Sequence, residues 1–264
     1  MLEKLPQPVI FAHRGASAYA PENTLAAFRL AAKQGVEAIE LDAKLTADGE
    51  VVVIHDMTVD RTTNGHGEVR RLRLEEIRRL DAGSFFSEAY RGEKVPLLRE
   101  VFEELGQRLF INVELTNYNA PLDPLPVKVA QLVREYHLEE RVLFSSFNPW
   151  NLLRIRRRLP ECPVALLALE GRSGWLARSD LMHWVSPRII HPYFADVTPE
   201  WIRHAHQRGR RIHVWTVNRA EDLETLFRWG VDGVFTDDPI LAMQIRSRVK
   251  GLEAGSVDEV VARL

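Results

Sequence analysis

The spacing of its short apolar runs constrains the fold of this 264-residue chain more than any other feature. Nine such runs recur: VIFAH (9–13), EAIELD (37–42), VVVIHD (51–56), LFINVEL (109–115), VLFSSF (142–147), PVALLAL (163–169), RIIHPY (188–193), RIHVWTV (211–217) and GVFTD (233–237). Most are continuously apolar and rich in Val, Ile and Phe, as strands covered on both faces must be. Amphipathic stretches such as ENTLAAFRLAAKQG, LPVKVAQLVREYH, VTPEWIRHAHQRG and AEDLETLFRWG separate them. Several of these open on an N-cap type residue and close on Gly. The alternation predicts an α/β architecture.

One gap breaks the pattern. Only AKLTADGE lies between the second and third runs, too short for the crossover helix that a parallel pair needs. ADGE reads as a hairpin turn, so VVVIHD is expected to return antiparallel over the mouth of the sheet. The other eight runs each have room for a helix, which predicts a (β/α)8 TIM barrel; a doubly wound open sheet is the alternative. Residues 57–96 follow no βα rhythm, being rich in Gly, Arg and Asp with one short helical piece at LRLEEIRRLD. A segment of this length is expected to form an insertion subdomain or lid within a single catalytic domain spanning residues 1–264.

Charge and cysteine usage narrow the classes of partner. Net charge is −2 with acids and bases interspersed, which argues against a nucleic-acid or anionic-membrane surface. The one basic run, RIRRRL at 154–159, reads as a solvated helix face. No segment is long and apolar enough to span a bilayer. The single cysteine, Cys162, excludes an internal disulfide framework and fits a reducing compartment. MLEKLPQPVIFAH leaves no room for a signal peptide ahead of the first strand, so a cytoplasmic location is expected.

Active sites of such barrels lie at the C-terminal ends of the strands, and there the ionisable residues gather. The first run ends in His13 and Arg14, the second carries Glu40 and Asp42 on one face, the hairpin ends in His55 and Asp56, and the next strand reaches Glu114. Later strand ends offer Ser145, Phe147, His191, Trp215 with Asn218, and Asp237. Three carboxylates aimed at one point repel one another unless a cation sits among them, and oxygen ligands suit Mg²⁺ or Ca²⁺. Two histidines, an arginine and a hard metal together suit attack on a phosphate ester. Each element also has a structural reading: a strand surfacing at His13-Arg14, an ion pair facing a helix at Glu40 and Asp42, a matched interior charge at Glu114. Asp237, in TDDP, reads as a turn or N-cap residue. His191 stands where it can line the mouth, whereas His66, His137, His183, His204, His206 and His213 read as surface or packing residues. The order of the charged strand ends around one rim favours a site.

HRG-x₆-ENT, E-L-D-x-K-L-T-x-D-G-x₄-I-H-D, the VEL strand, SSF, WTVN and GVFTDDP occur in that order and resemble the glycerophosphodiester phosphodiesterases, within the phospholipase C-like phosphodiesterase superfamily. The resemblance covers about residues 9–245. It implies a TIM barrel with an insertion after the second histidine, and hydrolysis of glycerophosphodiesters to an alcohol and sn-glycerol 3-phosphate. It implies that His13 and His55 are the acid/base pair, that Arg14 contacts the phosphate, and that Glu40, Asp42 and Glu114 hold one divalent cation, Mg²⁺ or Ca²⁺. Phe147 and Trp215 would flank the glycerol. Many relatives carry a lysine two residues after the third glutamate, where this chain has Thr116; Lys44, which shares strand parity with Glu40 and Asp42, is the candidate replacement for that charge. Glu22 and Asn23 are expected to steady the rim. The rival readings are a phospholipase D-like lyase forming cyclic phosphates and a non-catalytic phosphodiester-binding barrel; the single cysteine argues against the first and the complete charged set against the second.

Overall fold

The computed structural model describes residues 4–261, with side chains through residue 251. Its strands are β1 (Val9–Ala12), β2 (Ala38–Leu45), β3 (Val51–Val53), β4 (Phe110–Leu115), β5 (Val142–Ser146), β6 (Val164–Ala168), β7 (Ile189–Pro192), β8 (Arg211–Val214) and β9 (Gly233–Thr236). The helices are α1 (Leu25–Gln34), α2 (Leu74–Arg79), α3 (Leu98–Leu105), α4 (Leu125–Glu135), α5 (Pro149–Arg156), α6 (Trp175–Arg178), α7 (Pro199–Gln207), α8 (Ala220–Trp229) and α9 (Pro239–Val261).

Eight of the strands close into a parallel barrel. β1 pairs with β9 through Val9↔Gly233 to Ala12↔Thr236 and with β2 through Phe11↔Ala38 and Ala12↔Ile39. That double pairing removes both edges of the sheet and excludes the open doubly wound alternative. Among the described residues β3 is the one strand outside the circle, antiparallel to β2 with Ala43 opposite Val53 and Leu45 opposite Val51. The hairpin turns where Gly49 adopts a φ of 80°, and Thr46 fixes the turn by accepting from Glu50 N–H at 3.0 Å.

Strand parity separates two apolar layers. Val9, Phe11, Ala38, Leu143, Ala165, Ile189 and Phe235 pack inside the barrel, at its lower end. Ile10 and Ala12 point outward, where the alternate positions of the strands meet the helices in two larger clusters. Each fully buried Leu, Ile, Val or Phe there stabilises the fold by about 1.5–3 kcal/mol through removal of its side chain from water. The upper half of the interior is polar, because the next inward positions are Glu40, Asp42, Asn112, Glu114, Ser145 and His191.

Residues 57–96 carry α2 and two single 3₁₀ turns, with a small core of their own around Val59, Val69, Ile77, Ala82 and Val95 packed on Val52 and Ile54. Arg78 ties α2 to α3 through two hydrogen bonds to Glu100 at 2.9 Å. The basic run departs from a purely solvated face. Arg154 donates to the carbonyls of Pro121 and Asp123, and Arg156 to those of Trp184 and Val185, so two of its arginines clamp neighbouring loops. Arg157 and Arg158 are exposed.

Candidate active site

β1, β3, β8 and β9 end before their site residues, so His13, Arg14, His55, Trp215 and Asp237 lie on turns that leave the barrel, while Glu40, Asp42 and Glu114 stand within β2 and β4. β1 ends at Ala12, and His13 and Arg14 lie in the turn that follows. Arg14 takes a φ of 56° and Gly15 a φ of 85°. A side chain at Gly15 would also meet the backbone of Ala27 at 2.7 Å, so only glycine lets the turn lie against α1. Asn23 is left-handed too, with a φ of 57°, and its N–H donates to the Arg14 carbonyl at 2.9 Å. Two left-handed non-glycine residues bonded to each other mark a backbone held by its surroundings in a costly conformation.

That conformation aims Arg14 at the acids. Its backbone N–H donates to Glu40 Oε2 at 2.9 Å and its Nη1 to Glu22 Oε1 at 2.9 Å. Its Nε lies 3.4 Å from Asp42 Oδ2, a charge contact without the alignment of a hydrogen bond. Burial opposes the charge on Arg14, but Asp42, Glu22 and Glu40 outweigh it and hold the guanidinium above its ordinary range. Asn23 Nδ2 donates to Asp42 Oδ2 at 2.8 Å, fixing that carboxylate from the other side. Thr24, not Glu22 or Asn23, caps α1, through Ala27 N–H.

Glu40, Asp42 and Glu114 bring one carboxylate oxygen each to within 4.8 Å of one another. The β2–β4 register makes this unavoidable, since Asp42 pairs directly with Glu114 and Glu40 with Asn112. Burial, then Asp42 and Glu114, pushes the Glu40 carboxyl well above the usual carboxylate range. Burial, then Asp42, pushes Glu114 up to about 7. Burial pushes Asp42 up as well, but Arg14, His55 and Asn23 outweigh it and hold it low. Two buried carboxylates and one half-buried, two of them short of positive charge, fit a hard divalent cation. Tyr118 donates to Glu114 Oε1 at 2.6 Å from the loop after β4.

Both histidines are fixed at Nδ1. His13 Nδ1 is 2.7 Å from Asp237 Oδ1, and Asp237 in turn accepts from Ser17 Oγ at 3.1 Å and Asn218 Nδ2 at 2.5 Å. His55 Nδ1 is 2.7 Å from Asp56 Oδ1. Arg61 then holds Asp56 through Nε at 2.7 Å and Nη2 at 3.0 Å, and reaches Glu22 with both terminal nitrogens. The Arg61 guanidinium first, then His55, keeps the Asp56 carboxyl far below its ordinary value despite partial burial. With Nδ1 committed to a carboxylate, each imidazole has Nε2 left for a reacting group.

These residues surround a cavity of about 110 Å³ in the upper barrel, lined by His13, Arg14, Glu40, His55, Glu114 and, opposite them, Phe147 and Trp215. Phe147 and Trp215 meet edge to face with centroids 5.6 Å apart, and Tyr118 packs on Phe147 at 5.9 Å. Trp215 lies one residue beyond β8, and its Nε1 donates to the His191 carbonyl at 2.9 Å.

Two expectations change. Asp237 does not cap α9; Asp238 does, accepting from Leu241 N–H at 3.0 Å, while Asp237 turns to His13. Lys44 does not reach the cavity. A buried ammonium must place its protons on acceptors, and Lys44 Nζ donates to the Thr116 carbonyl at 2.8 Å and hydroxyl at 2.9 Å, on the far side of the acids. The Thr116 hydroxyl itself donates to the Ala43 carbonyl at 2.8 Å. Of the histidines read as surface or packing residues, His213 is a packing one, buried against His191, which lines the cavity as expected. The sequence reading also passed over Arg61, Tyr118 and Asn112; Asp56-x₄-Arg61 and Glu114-x₃-Tyr118 are spacings that could have drawn notice.

Comparison with known proteins gives the family and the fold. Residues 13–241 match the model of the glycerophosphoryl diester phosphodiesterase family. A glycerophosphodiester phosphodiesterase of Caldanaerobacter subterraneus subsp. tengcongensis is 41% identical over 232 residues, covering 88% of this chain and 94% of that protein. One from Bacillus altitudinis is 36% identical over 246 residues, covering 91% and 99%. Among solved structures, an Oleispira antarctica phosphodiesterase in complex with the product sn-glycerol-3-phosphate superposes with a TM-score of 0.84 at 29% identity, covering 90% of this chain and 96% of that one.

Proposed function

The chain belongs to the glycerophosphoryl diester phosphodiesterase family, and on that premise we propose that it hydrolyses glycerophosphodiesters to an alcohol and sn-glycerol 3-phosphate by two-histidine acid–base catalysis at a divalent cation. The observation that carries the reading is the pair of imidazoles, each backed at Nδ1 by a carboxylate at 2.7 Å, facing one cavity beside three clustered acids.

Glu40, Asp42 and Glu114 would hold the cation, Mg²⁺ or Ca²⁺. When bound there it would neutralise the three carboxylates and withdraw charge from the phosphate oxygens. Arg14, already anchored through Nη1 and its backbone, presents its guanidinium to the phosphate. The aromatic pair Phe147 and Trp215 covers the carbon face of the glycerol and excludes water from it.

The assignment of proton roles follows exposure. The His13 side chain is 20% exposed and sits deep against the acids; His55 is 42% exposed at the lip. His13 Nε2 therefore takes the proton of the attacking hydroxyl, from water or the glycerol 2-hydroxyl, and His55 Nε2 delivers a proton to the alkoxide that leaves towards solvent. Asp237 and Asp56 act through these rings as positioning residues. Lys44 and Thr116 satisfy each other, which leaves Arg14 as the protein's own cation on the phosphate.

The decisive assay is release of sn-glycerol 3-phosphate from glycerophosphocholine and glycerophosphoethanolamine with Mg²⁺, with Ca²⁺ or with chelator. Turnover with either ion, abolished by chelator and restored on adding the ion back, is expected. Turnover unaffected by chelation overturns the metal reading, and persistent cyclic phosphate without glycerol 3-phosphate overturns hydrolysis.

A further inference from the structure

Each of the three clustered acids is steered by a donor from a loop that leaves the barrel. Glu40 accepts from the Arg14 N–H at 2.9 Å and Asp42 from Asn23 Nδ2 at 2.8 Å, and both donors belong to the segment between β1 and α1. Glu114 is held from elsewhere. Its donor is the Tyr118 hydroxyl at 2.6 Å, in the loop after β4. The cations of the site are engaged with other groups: Lys44 Nζ donates to Thr116, and Arg14 Nη1 to Glu22. Orientation of the Glu114 carboxylate therefore falls to a neutral phenol.

That phenol has a second partner. The Phe147 N–H donates to the Tyr118 oxygen at 3.2 Å. A phenol carries one proton, so an oxygen that accepts from an amide and faces a carboxylate directs its O–H to the carboxylate. The bonds run one way, from Phe147 N–H to Tyr118 Oη to Glu114 Oε1, and each polarises the next. The rings repeat the connection, with Tyr118 on Phe147 at 5.9 Å and Phe147 on Trp215 at 5.6 Å, both edge to face. The loop beneath Tyr118 is braced: buried Asn117 donates to Asp123 Oδ1 and accepts from Asn151 Nδ2, at 2.6 Å each. Tyr118 does not line the cavity, so whatever it does for the reaction it does through Glu114 and Phe147.

We propose that Tyr118 is a positioning residue that fixes Glu114 for the divalent cation and ties occupancy of the cation site to the placement of the aromatic wall. This rests on the reading of Glu40, Asp42 and Glu114 as the cation's ligands. Donation to Oε1 holds the carboxylate in one orientation and leaves its second oxygen for a metal. Partners of this kind, one step removed from a ligand, are worth about 10- to 100-fold in metal affinity. The linkage is reciprocal: whatever stiffens Glu114 also stiffens Tyr118 and the Phe147 amide bonded to it.

Tyr118→Phe keeps the ring and its packing and removes only the hydroxyl. The metal-free protein is titrated with Mg²⁺ and with Ca²⁺ by calorimetry, without substrate. For the ion that wild type binds more tightly, the variant's affinity is expected to be about 10-fold weaker. At saturating ion its kcat should return to within about threefold of wild type, a split that a general loss of folding does not give. Hydrogen exchange at the Phe147 amide supplies a second measurement. In wild type it should slow about threefold to tenfold on saturation with the ion; in Tyr118→Phe it should be fast and indifferent to the ion. Variant affinity within about twofold of wild type, kcat still depressed more than about threefold at saturating ion, or wild-type Phe147 exchange unmoved by the ion each overturns the role of Tyr118 and leaves the cation site standing. If the variant does not fold, the wild-type exchange decides. Wild type that shows neither heat nor altered exchange with either ion overturns the cation reading and the role of Tyr118 together.

Discussion

The two histidine–aspartate pairs look alike at their contact, 2.7 Å in each, and are built by opposite means. The His13–Asp237 pair joins the ends of β1 and β9, neighbours in the barrel, and neutral groups from Ser17 and Asn218 complete the aspartate's hydrogen bonds. The His55–Asp56 pair joins consecutive residues on a loop beyond β3, and its orientation depends on the Arg61 guanidinium braced between Asp56 and Glu22. One pair is held by the sheet, the other by ions. Geometry that the main fold guarantees should tolerate changes of medium; geometry that a half-exposed ionic strut guarantees should not.

Removing either histidine tests whether both pairs are needed at all. His13→Ala and His55→Ala are each expected to lower kcat by about 10²–10⁴-fold, measured as glycerol 3-phosphate release, with little change in thermal midpoint. A variant that keeps wild-type kcat would remove its histidine from the mechanism. The next step separates the pairs. Asp237→Asn should cost about 100-fold, because the amide no longer fixes the tautomer of a poorly exposed ring; Asp56→Asn should cost about 10-fold, since water reaches the more exposed His55. Equal losses would mean that exposure does not distinguish them.

The strut itself gives a smaller effect with a characteristic salt response. Arg61→Gln is expected to lower kcat/KM roughly threefold to tenfold at low ionic strength, and the gap should narrow as salt screens the wild-type contact. Ser17→Ala, on the neutral side, should show no such dependence. The smallest effect is on stability. Arg61 holds the Asp56 carboxyl far below the ordinary value of about 3.9, so its contribution is present in full above about pH 4 and is lost as pH falls through the depressed value. Because Arg61 and Asp56 are partly exposed, that contribution is at most about 1 kcal/mol. The difference in thermal midpoint between wild type and Arg61→Gln should accordingly be largest near neutrality and shrink below pH 4; a constant difference would assign it to lost packing instead.

The same contrast explains what was legible in the sequence. Barrel and hairpin could be read because strand length, apolar continuity and one gap too short for a helix are local properties. The acids Glu40, Asp42 and Glu114 could be read because period-two alternation fixes which face they share. Asp237 could not, since its role depends on β9 closing against β1, and TDDP offers two adjacent aspartates of which the second does the capping. Arg61 was hidden in a segment without periodicity, where only the folded loop brings it to Glu22. Lys44 had the right parity and the wrong outcome, because parity gives a side chain its face and the nearest acceptors, here on Thr116, decide where a flexible ammonium ends. Asn112 escaped notice because it stands inside a strand where the pattern predicts only packing, whereas His191 was legible from its place near a strand end.

The His13–Asp237 contact spans 224 positions of the chain and crosses the seam where the first and last strands meet. Half of the proposed proton-transfer machinery therefore does not exist until synthesis has passed residue 237 and the circle has shut. A nascent or truncated chain carrying His13, Arg14, both glutamates and His55 is incompletely armed, and recovery of turnover during refolding is a clock for the closing of the seam rather than for the appearance of strands or helices.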